Sequence, residues 1–159
     1  NPSSKLDQFR ASEITKGFDN VSIFRKFGQK INKQKSDLLS LLNDLKDQGK
    51  IVIGYGASGR ANTMLQFCGI NSSLIRYMVD DAPAKKGFYT PGSHLCIESN
   101  IPLSYGERPD YVVVFAWTFL REICERNMDY LESGGKFIIP LPKVEILDVK
   151  SIRKLYSIR

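Results

Sequence analysis

The sequence predicts an α/β domain whose mostly parallel, five-stranded sheet is covered by helices on both faces. Continuous apolar runs such as "KIVIGY", "DYVVVFAW" and "KFIIPLP" are typical of parallel strands buried on both faces. Helical segments separate these runs, and a glycine-rich turn follows the first run. Strands that alternate with helices are joined by right-handed crossovers. We therefore expect a Rossmann-like three-layer sandwich with the strand order 3-2-1-4-5.

Residues 1–49 are predicted to form a lead-in and one long helix. From Val21 to Gln48, apolar residues recur at three- and four-residue steps, as they do along one face of a helix. Asp19 or Asn20 can cap its start, and glycine follows its end. Such a helix is about 40 Å long, so it either lies across the sheet or links this domain to something upstream.

Residues 50–142 carry the alternation of strands and helices. "KIVIGY" predicts the first strand, and residues 58–68 form a helix closed by Gly69. "SLIRYMVDD" and "HLCIE" predict the second and third strands, and "SNIPLSYGERP" is rich in turn residues. "DYVVVFAW" is the fourth strand, residues 118–132 form a helix, and "KFIIPLP" is the fifth strand. We expect residues 143–159 to form a basic C-terminal tail.

Length and composition fit one globular unit. The chain has 159 residues, of which 42% are hydrophobic and 25% charged. No apolar run approaches the roughly 18 residues of a membrane helix, and no secretory signal opens the chain, so we expect a cytoplasmic protein with no membrane contact. Cys68, Cys96 and Cys124 are too scattered for a disulfide framework or a zinc site. Because the first residue is Asn1 and not methionine, we expect a fragment of a longer chain.

The net charge of +6 does not indicate nucleic-acid binding, because the excess lies at the two ends of the chain. Residues 1–50 carry +4 and residues 143–159 carry +3, whereas residues 51–142 carry −1. A nucleic-acid interface is expected to show a basic patch interleaved with aromatic residues, or a known motif. Neither is evident, so we expect no nucleic-acid partner.

The stretch "IVIGYGASGRANT" at 51–63 carries the strongest binding signal. Gly54, Gly56 and Gly59 match G-x-G-x-x-G, a nucleotide-binding pattern at a strand-to-helix turn. In that pattern the first two glycines permit a tight turn and the close approach of a ligand, and the third lets the helix pack on its strand. The alternative is a purely structural turn.

Further groups around this turn suit an anionic ligand. Backbone amides from Ala57 to Arg60 would point toward an anion at the helix start, and the Arg60 guanidinium can hold phosphate at two places. Asp80 follows Gly59 by 21 residues, where an acidic residue bonds a ribose hydroxyl in dinucleotide-binding domains. The ligand crevice is expected between the first and fourth strands, with Trp117 near the glycine turn.

The loop after the second strand is another candidate. "DDAPAKKGFYTPGSH" places Lys85, Lys86, Tyr89 and His94 among turn residues, and long irregular loops in compact domains are often functional. The alternative is a solvated loop whose lysines touch nothing and whose histidine is structural. Trp117 likewise suits either stacking on a base or sugar, or packing in the core.

Several kinds of catalytic site are missing from the sequence. We find no Ser/His/Asp or Cys/His set, no cluster of metal ligands and no acid–base residues of a nicotinamide dehydrogenase. The turn also departs from the G-x-G-x-G form common in S-adenosylmethionine enzymes, since Ser58 occupies the third place. We therefore expect this chain to bind no cofactor and not to catalyse a reaction by itself.

Four ordered segments resemble one enzyme family. "GYGASGRANTMLQFCGI", "VDDAPAKKGFYTPGSH", "RPDYVVVFAW" and "GGKFIIPLP" are similar to the C-terminal domain of the sugar C-methyltransferases, over roughly residues 20–142. The resemblance implies a domain that helps to enclose a nucleotide-linked keto-deoxysugar, to which the enzyme transfers a methyl group from S-adenosylmethionine. It also implies upstream partner domains that bind zinc and S-adenosylmethionine and that this chain lacks.

The resemblance also implies a substrate-facing surface with no catalytic residue in this chain. That surface would comprise Gly54, Tyr55, Gly56, Ala57, Ser58, Gly59, Arg60, Asn62, Asp80, Asp81, Lys85, His94, Trp117 and Thr118. Thr118 departs from the family, in which Asn usually follows the Ala-Trp pair. The alternatives are a free-standing nucleotide-binding or regulatory module, and an interaction domain whose glycine turn is purely structural.

Overall fold

The computed structural model describes residues 3–102 and 108–156, and the chain divides into two compact units, residues 1–33 and 34–159. Three pieces of the predicted segments lie outside the described residues. They are residues 103–107 of the turn-rich segment and the terminal residues 1–2 and 157–159.

Two helices open the chain. α1 spans Ser4–Thr15, and α2 spans Val21–Asp47. The Asn20 side chain accepts a hydrogen bond from the Ser22 amide at 2.8 Å and so caps α2. Gly49 follows the end of α2 with a φ of +67°. The helix predicted over 21–48 is therefore confirmed, because local capping residues define both of its ends.

The strands form one six-stranded sheet. They are β1 (Val52–Tyr55), β2 (Met78–Val79), β3 (Ile97–Glu98), β4 (Tyr111–Val114), β5 (Lys136–Ile139) and β6 (Glu145–Leu147). The order is β3-β2-β1-β4-β5-β6, and every neighbouring pair is parallel except β5 and β6. The mostly parallel sheet is confirmed. The prediction of five strands in the order 3-2-1-4-5 is wrong, because a sixth strand extends the sheet beyond β5.

The sixth strand arises from the predicted C-terminal tail. Glu145 pairs with Ile139 in antiparallel register. The connection at 140–144 is too short for a crossover helix, so the chain returns antiparallel to β5. Helix α6 (Val149–Tyr156) follows, and its Ile152 side chain is fully buried. Residues predicted as a tail thus belong to the sheet and its helical cover.

Helices cover both faces of the sheet, as predicted. α3 (Gly59–Cys68) and the C-terminal half of α2 lie on one face, whereas α4 (Leu120–Arg126), α5 (Met128–Glu132) and α6 lie on the other. The first buried cluster includes Leu38, Leu42, Leu65, Met78, Val113 and Phe115, and the second includes Ile53, Val112, Val114, Ile123, Tyr130 and Phe137. Because side chains alternate along a strand, the apolar run of β4 supplies both clusters.

The single helix predicted over 118–132 is divided into three pieces. A 3₁₀ turn at Trp117–Phe119 precedes α4, and α4 meets α5 at Asn127. The Asn127 side-chain amide donates to the Ile123 carbonyl at 2.8 Å. Asparagine competes in this way with the backbone pattern of a continuous helix, which explains the break.

Gly54 in β1 faces the first cluster, where no side chain fits. A Cβ at this position would lie 2.9 Å from Cε of Met78 and 3.0 Å from Cε2 of Phe115. A Cβ at Gly59, by contrast, would have no neighbour within 4 Å. The packing role predicted for the third glycine is therefore wrong, and core packing depends on the first glycine instead.

We expect Gly54→Ala to lower the free energy of unfolding by about 1–3 kcal/mol, because the added methyl group overpacks the core. Gly59→Ala is the matched control. It adds the same methyl group in open space at a helix start, and it is expected to change stability by less than about 1 kcal/mol. Urea unfolding followed by circular dichroism measures both. Equal unfolding free energies for the two variants would contradict the packing role of Gly54.

Candidate functional site

The candidate site is a cleft at the carboxyl ends of β1, β2 and β4. Gly56 follows β1 with a φ of +92°, and a Cβ there would lie 2.7 Å from Cβ of Ala116. The turn after β1 therefore passes directly beside the segment that follows β4. Since the direction of strand order reverses between β1 and β4, this is the position at which open α/β sheets bind ligands. The prediction that Trp117 lies near the glycine turn is confirmed.

The first turn of α3 presents backbone amides to this cleft. Ser58 is the N-cap, and its hydroxyl accepts a hydrogen bond from the Ala61 amide at 3.3 Å. The Ser58 amide donates to the Gly56 carbonyl at 2.9 Å. Within the described part of the chain, the amides of Gly59 and Arg60 have no backbone acceptor. These two donors and the helix dipole give the turn a partial positive charge.

Arg60 links the first turn of α3 to the segment after β4. One of its guanidinium nitrogens, Nη2, donates to the Thr118 hydroxyl at 3.2 Å, and its Cζ lies 5.7 Å from the centroid of the Trp117 ring. Among the described residues, no carboxylate lies within ion-pair distance of Arg60. The guanidinium is exposed and held in place by the cation–π contact, so it retains donors for a ligand.

Asn62 follows Ala61 in the first turn of α3. Its Oδ1 atom is buried and has no hydrogen-bond partner in the described structure. A buried polar atom without a partner costs free energy, and it marks this predicted residue as one with unused bonding capacity.

Asp80 and Lys85 bond to each other and to the glycine turn. The Lys85 ammonium donates to Asp80 Oδ2 at 2.8 Å and to the Ala57 carbonyl at 3.0 Å. Asp80 Oδ1 accepts from the Ala82 amide at 2.9 Å, and the residue is 9% exposed. Both side chains therefore brace the loop after β2 against the turn after β1. A contact between Asp80 and ribose stays a prediction.

Tyr55, Asp81 and Arg126 form a polar cluster on the other side of the cleft. The Tyr55 hydroxyl donates to Asp81 Oδ1 at 2.5 Å, and Arg126 donates to Asp81 Oδ2. The pKa of Tyr55 is raised to about 12, mainly by burial and secondly by the hydrogen bond to Asp81. Arg126 was not among the predicted residues. It lies in the charge-rich helical segment "REICERN", and no local pattern distinguishes it from a solvated arginine.

This cluster separates two shallow hollows. One, of about 280 Å³, is lined by Gly56, Asp80, Ala116 and Phe119 together with the cluster. The other, of about 220 Å³, is lined by Asn100, Asn127 and Asp129 together with the cluster. Both are smaller than the roughly 300 Å³ at which pockets begin to enclose a small-molecule ligand.

His94 lies away from this cleft. It is exposed, has a φ of +52°, and belongs to the tight turn after Thr90. That turn packs against the far part of α3, where the Gln66 side-chain amide donates to the Pro91 carbonyl at 2.8 Å. Gln66 lies about 9 Å along the helix axis from Arg60. The structure therefore groups the glycine turn with Asp80, Asp81, Lys85, Trp117 and Thr118 but does not bring His94 to them.

The buried thiols and the acidic residues give no further candidate site in the described part of the chain. Cys68 and Cys124 are buried free thiols, and burial raises the pKa of both. Within residues 3–102 and 108–156, no group of three or more His, Cys, Asp or Glu side chains is placed to hold a metal ion. No helix in the same ranges is long and apolar enough to cross a membrane.

The hydrogen bond between Tyr55 and Asp81 predicts how stability changes at high pH. Folding raises the pKa of Tyr55 from 10.0 to about 12. The protonated Tyr55 hydroxyl therefore contributes fully to the free energy of unfolding below pH 10, and this contribution is lost as the pH rises to about 12. Phenylalanine does not titrate, so Tyr55→Phe is expected to lose less unfolding free energy than the wild type between pH 10 and about pH 12. The difference is expected to be at most about 3 kcal/mol. Urea unfolding at several pH values tests this.

Tyr89→Phe is the control for that experiment, because the Tyr89 side chain is 62% exposed and the same hydroxyl group is removed. We expect its pH dependence of stability to match that of the wild type. A Tyr55→Phe profile that also parallels the wild type would show that Tyr55 does not titrate as a buried, hydrogen-bonded group.

Comparison with known proteins assigns the chain to a family. A family model described as the C-methyltransferase C-terminal domain matches residues 1–142. The C-methyltransferase NovU of Streptomyces niveus is 30% identical over 141 residues, which are 89% of this chain and 33% of that relative. The chain thus spans about a third of the length of this curated relative. Since the family match covers the N-terminal helices, the glycine turn and the cleft, the chain belongs to the family of C-methyltransferase C-terminal domains.

Proposed function

We propose that this chain forms the substrate-enclosing domain of a C-methyltransferase that acts on a nucleotide-linked keto-deoxysugar. In this proposal the diphosphate of the sugar nucleotide binds over the start of α3. The methyl donor, S-adenosylmethionine, and a zinc ion would belong to other domains of the enzyme. Membership in the C-methyltransferase family supports the reaction class, and the similarity of the four sequence segments to sugar C-methyltransferases supports the substrate class.

Arg60 is the observation that carries this proposal. Its guanidinium is exposed and, among the described residues, has a hydroxyl and an aromatic ring as partners but no carboxylate. It lies in the same helical turn as two backbone amides without backbone acceptors. Gly56 adds no side chain at the mouth of the turn. Positive charge, free donors and an open approach are the features of an anion site at a helix N-terminus.

The shallowness of the cleft supports a role in enclosing a ligand together with another surface. Each hollow beside Tyr55 and Asp81 has a volume below 300 Å³, whereas a pocket that encloses a ligand as large as a sugar nucleotide needs more than about 300 Å³. Such hollows contact one side of a ligand and leave the other side open. A second wall, supplied by the methyltransferase part of the enzyme, would complete the site.

We expect Arg60→Ala to weaken binding of thymidine diphosphate or a thymidine-diphosphate sugar roughly tenfold or more. A charge-assisted hydrogen bond of this kind contributes about 1.5–3 kcal/mol. Calorimetry of the purified chain measures the affinity. Titrations with NAD and with S-adenosylmethionine distinguish the sugar-nucleotide site from a general dinucleotide or methyl-donor site.

Arg76→Ala is the matched control for Arg60→Ala. Arg76 is also an exposed arginine, but its amide donates to the Val52 carbonyl, so it lies at the opposite, amino end of β1. Lys85→Ala is expected to have a smaller effect than Arg60→Ala, because Asp80 and the Ala57 carbonyl already occupy the ammonium group. Unchanged affinity in both arginine variants, with loss of binding in Lys85→Ala, would place the phosphate over the second loop instead.

The isolated chain is expected to transfer no methyl group. The sequence has no methyl-donor motif, and two carboxylates at the cleft, Asp80 and Asp81, are already paired with Lys85 and Arg126. Incubation with labelled S-adenosylmethionine and a thymidine-diphosphate keto-sugar tests this. Label in the sugar nucleotide above the level of a protein-free control would contradict the assignment of catalysis to other domains.

A further inference from the structure

The N-terminal unit exposes an unusual amount of apolar surface. None of the described residues 3–33 is buried. Six large apolar side chains there are at least half exposed: Phe9, Ile14, Phe18, Val21, Phe24 and Phe27, at 68, 62, 50, 62, 58 and 62%. At about 200 Å² per phenylalanine, the four phenylalanines alone expose on the order of 500 Å². Where such exposed apolar side chains are contiguous on a soluble protein, they often form an interaction surface.

Part of this surface is continuous. Ile14, Phe18 and Phe24 line one groove of about 520 Å³ within the N-terminal unit. Val21 and Phe27 lie three residues before and after Phe24 in α2, which places them on the same side of the helix. We refer to these five residues as the N-terminal apolar face.

We propose that the N-terminal apolar face is the docking surface for the methyltransferase part of a C-methyltransferase. The family match begins at residue 1, so these helices are part of the C-terminal domain and not an addition to it. The chain corresponds to only 33% of NovU. The family description places this domain at the C-terminal end of its enzymes, so the preceding chain of such an enzyme enters the domain through these helices.

Charge distinguishes this partner from a second copy of the chain. Residues 3–33 carry seven basic and three acidic side chains. Two copies joined through this unit would bring two positively charged surfaces together, which is unfavourable. A protein partner with an excess of acidic side chains is complementary to the net charge of the whole unit.

Charge also distinguishes this partner from an anionic membrane. The groove is bordered by Glu13 and Asp19 as well as by Arg10. A rim of mixed sign suits a protein surface with matching charges, whereas an anionic bilayer favours an apolar helix face bordered by lysine and arginine.

Site-specific photo-crosslinking in cells that naturally produce the protein tests this proposal. A benzophenone amino acid replaces Phe24 in one variant and Phe27 in another. The control replaces Leu155, which is 58% exposed but lies in α6, outside the family match. After irradiation, the crosslinked peptides are identified by mass spectrometry.

We expect crosslinks from positions 24 and 27 to a methyltransferase segment outside residues 1–159, whether on the same or a separate polypeptide, and none from position 155. With the probe at Val21, the double variant Phe24→Glu, Phe27→Glu is expected to reduce the crosslink at least tenfold. Circular dichroism of the purified double variant checks that the remainder of the chain is folded.

Three outcomes would overturn the proposal. Crosslinks from positions 24 and 27 to peptides of a second copy would identify a dimer interface. Binding of the purified chain to vesicles of phosphatidylserine, abolished in the double variant, would identify a membrane surface. Absence of any crosslink from these two positions would show that the face has no partner.

Discussion

The close approach of β1 to its two neighbours is the constraint on which the site depends. Gly54 leaves the space that Met78 and Phe115 fill, and Gly56 lets the chain pass Ala116 at a distance that a side chain would prevent. These contacts bring the turns after β1 and β4 together at the place where the strand order reverses. Arg60, Trp117 and Thr118 meet because of that approach.

Polar contacts then determine which side chains remain available to a ligand. Lys85 is bonded to Asp80 and to the Ala57 carbonyl, and Asp81 is bonded to Tyr55 and Arg126. These groups stabilise the loops around the cleft, whereas Arg60 keeps its charge free of carboxylates in the described structure. Bracing of this kind holds the backbone of a binding turn in place, which lowers the ordering cost of binding.

The two units differ in how they use apolar residues. Residues 34–159 bury theirs in two clusters, one on each face of the sheet. Residues 3–33 bury none, although α2 runs through both units. Leu38, Leu42 and Leu45 are buried, whereas Phe24 and Phe27 of the same helix are exposed. The helical spacing of apolar residues therefore predicts the helix, but it does not predict which part of the apolar face of the helix is buried.

The sequence by itself determined the features that arise from neighbouring residues. Asn20, Ser58, Gly49 and Gly69 define helix ends through local bonds and backbone conformation, and continuous apolar runs identify the buried parallel strands. The glycine turn, Arg60 and Trp117 were also predicted to lie at one cleft, because the carboxyl ends of parallel strands share an edge.

The tertiary structure alone decided the rest. The sixth strand forms because β5 offers an edge to a short, charged segment that has no strong pattern of its own. Arg126 joins the cleft through Asp81, 45 positions away, and the Lys85 ammonium is occupied by Asp80 and the Ala57 carbonyl. His94 is held at the far part of α3 by its loop's contacts with Gln66. Each of these outcomes depends on contacts between segments that are distant in sequence. The spacing of neighbouring residues does not predict such contacts.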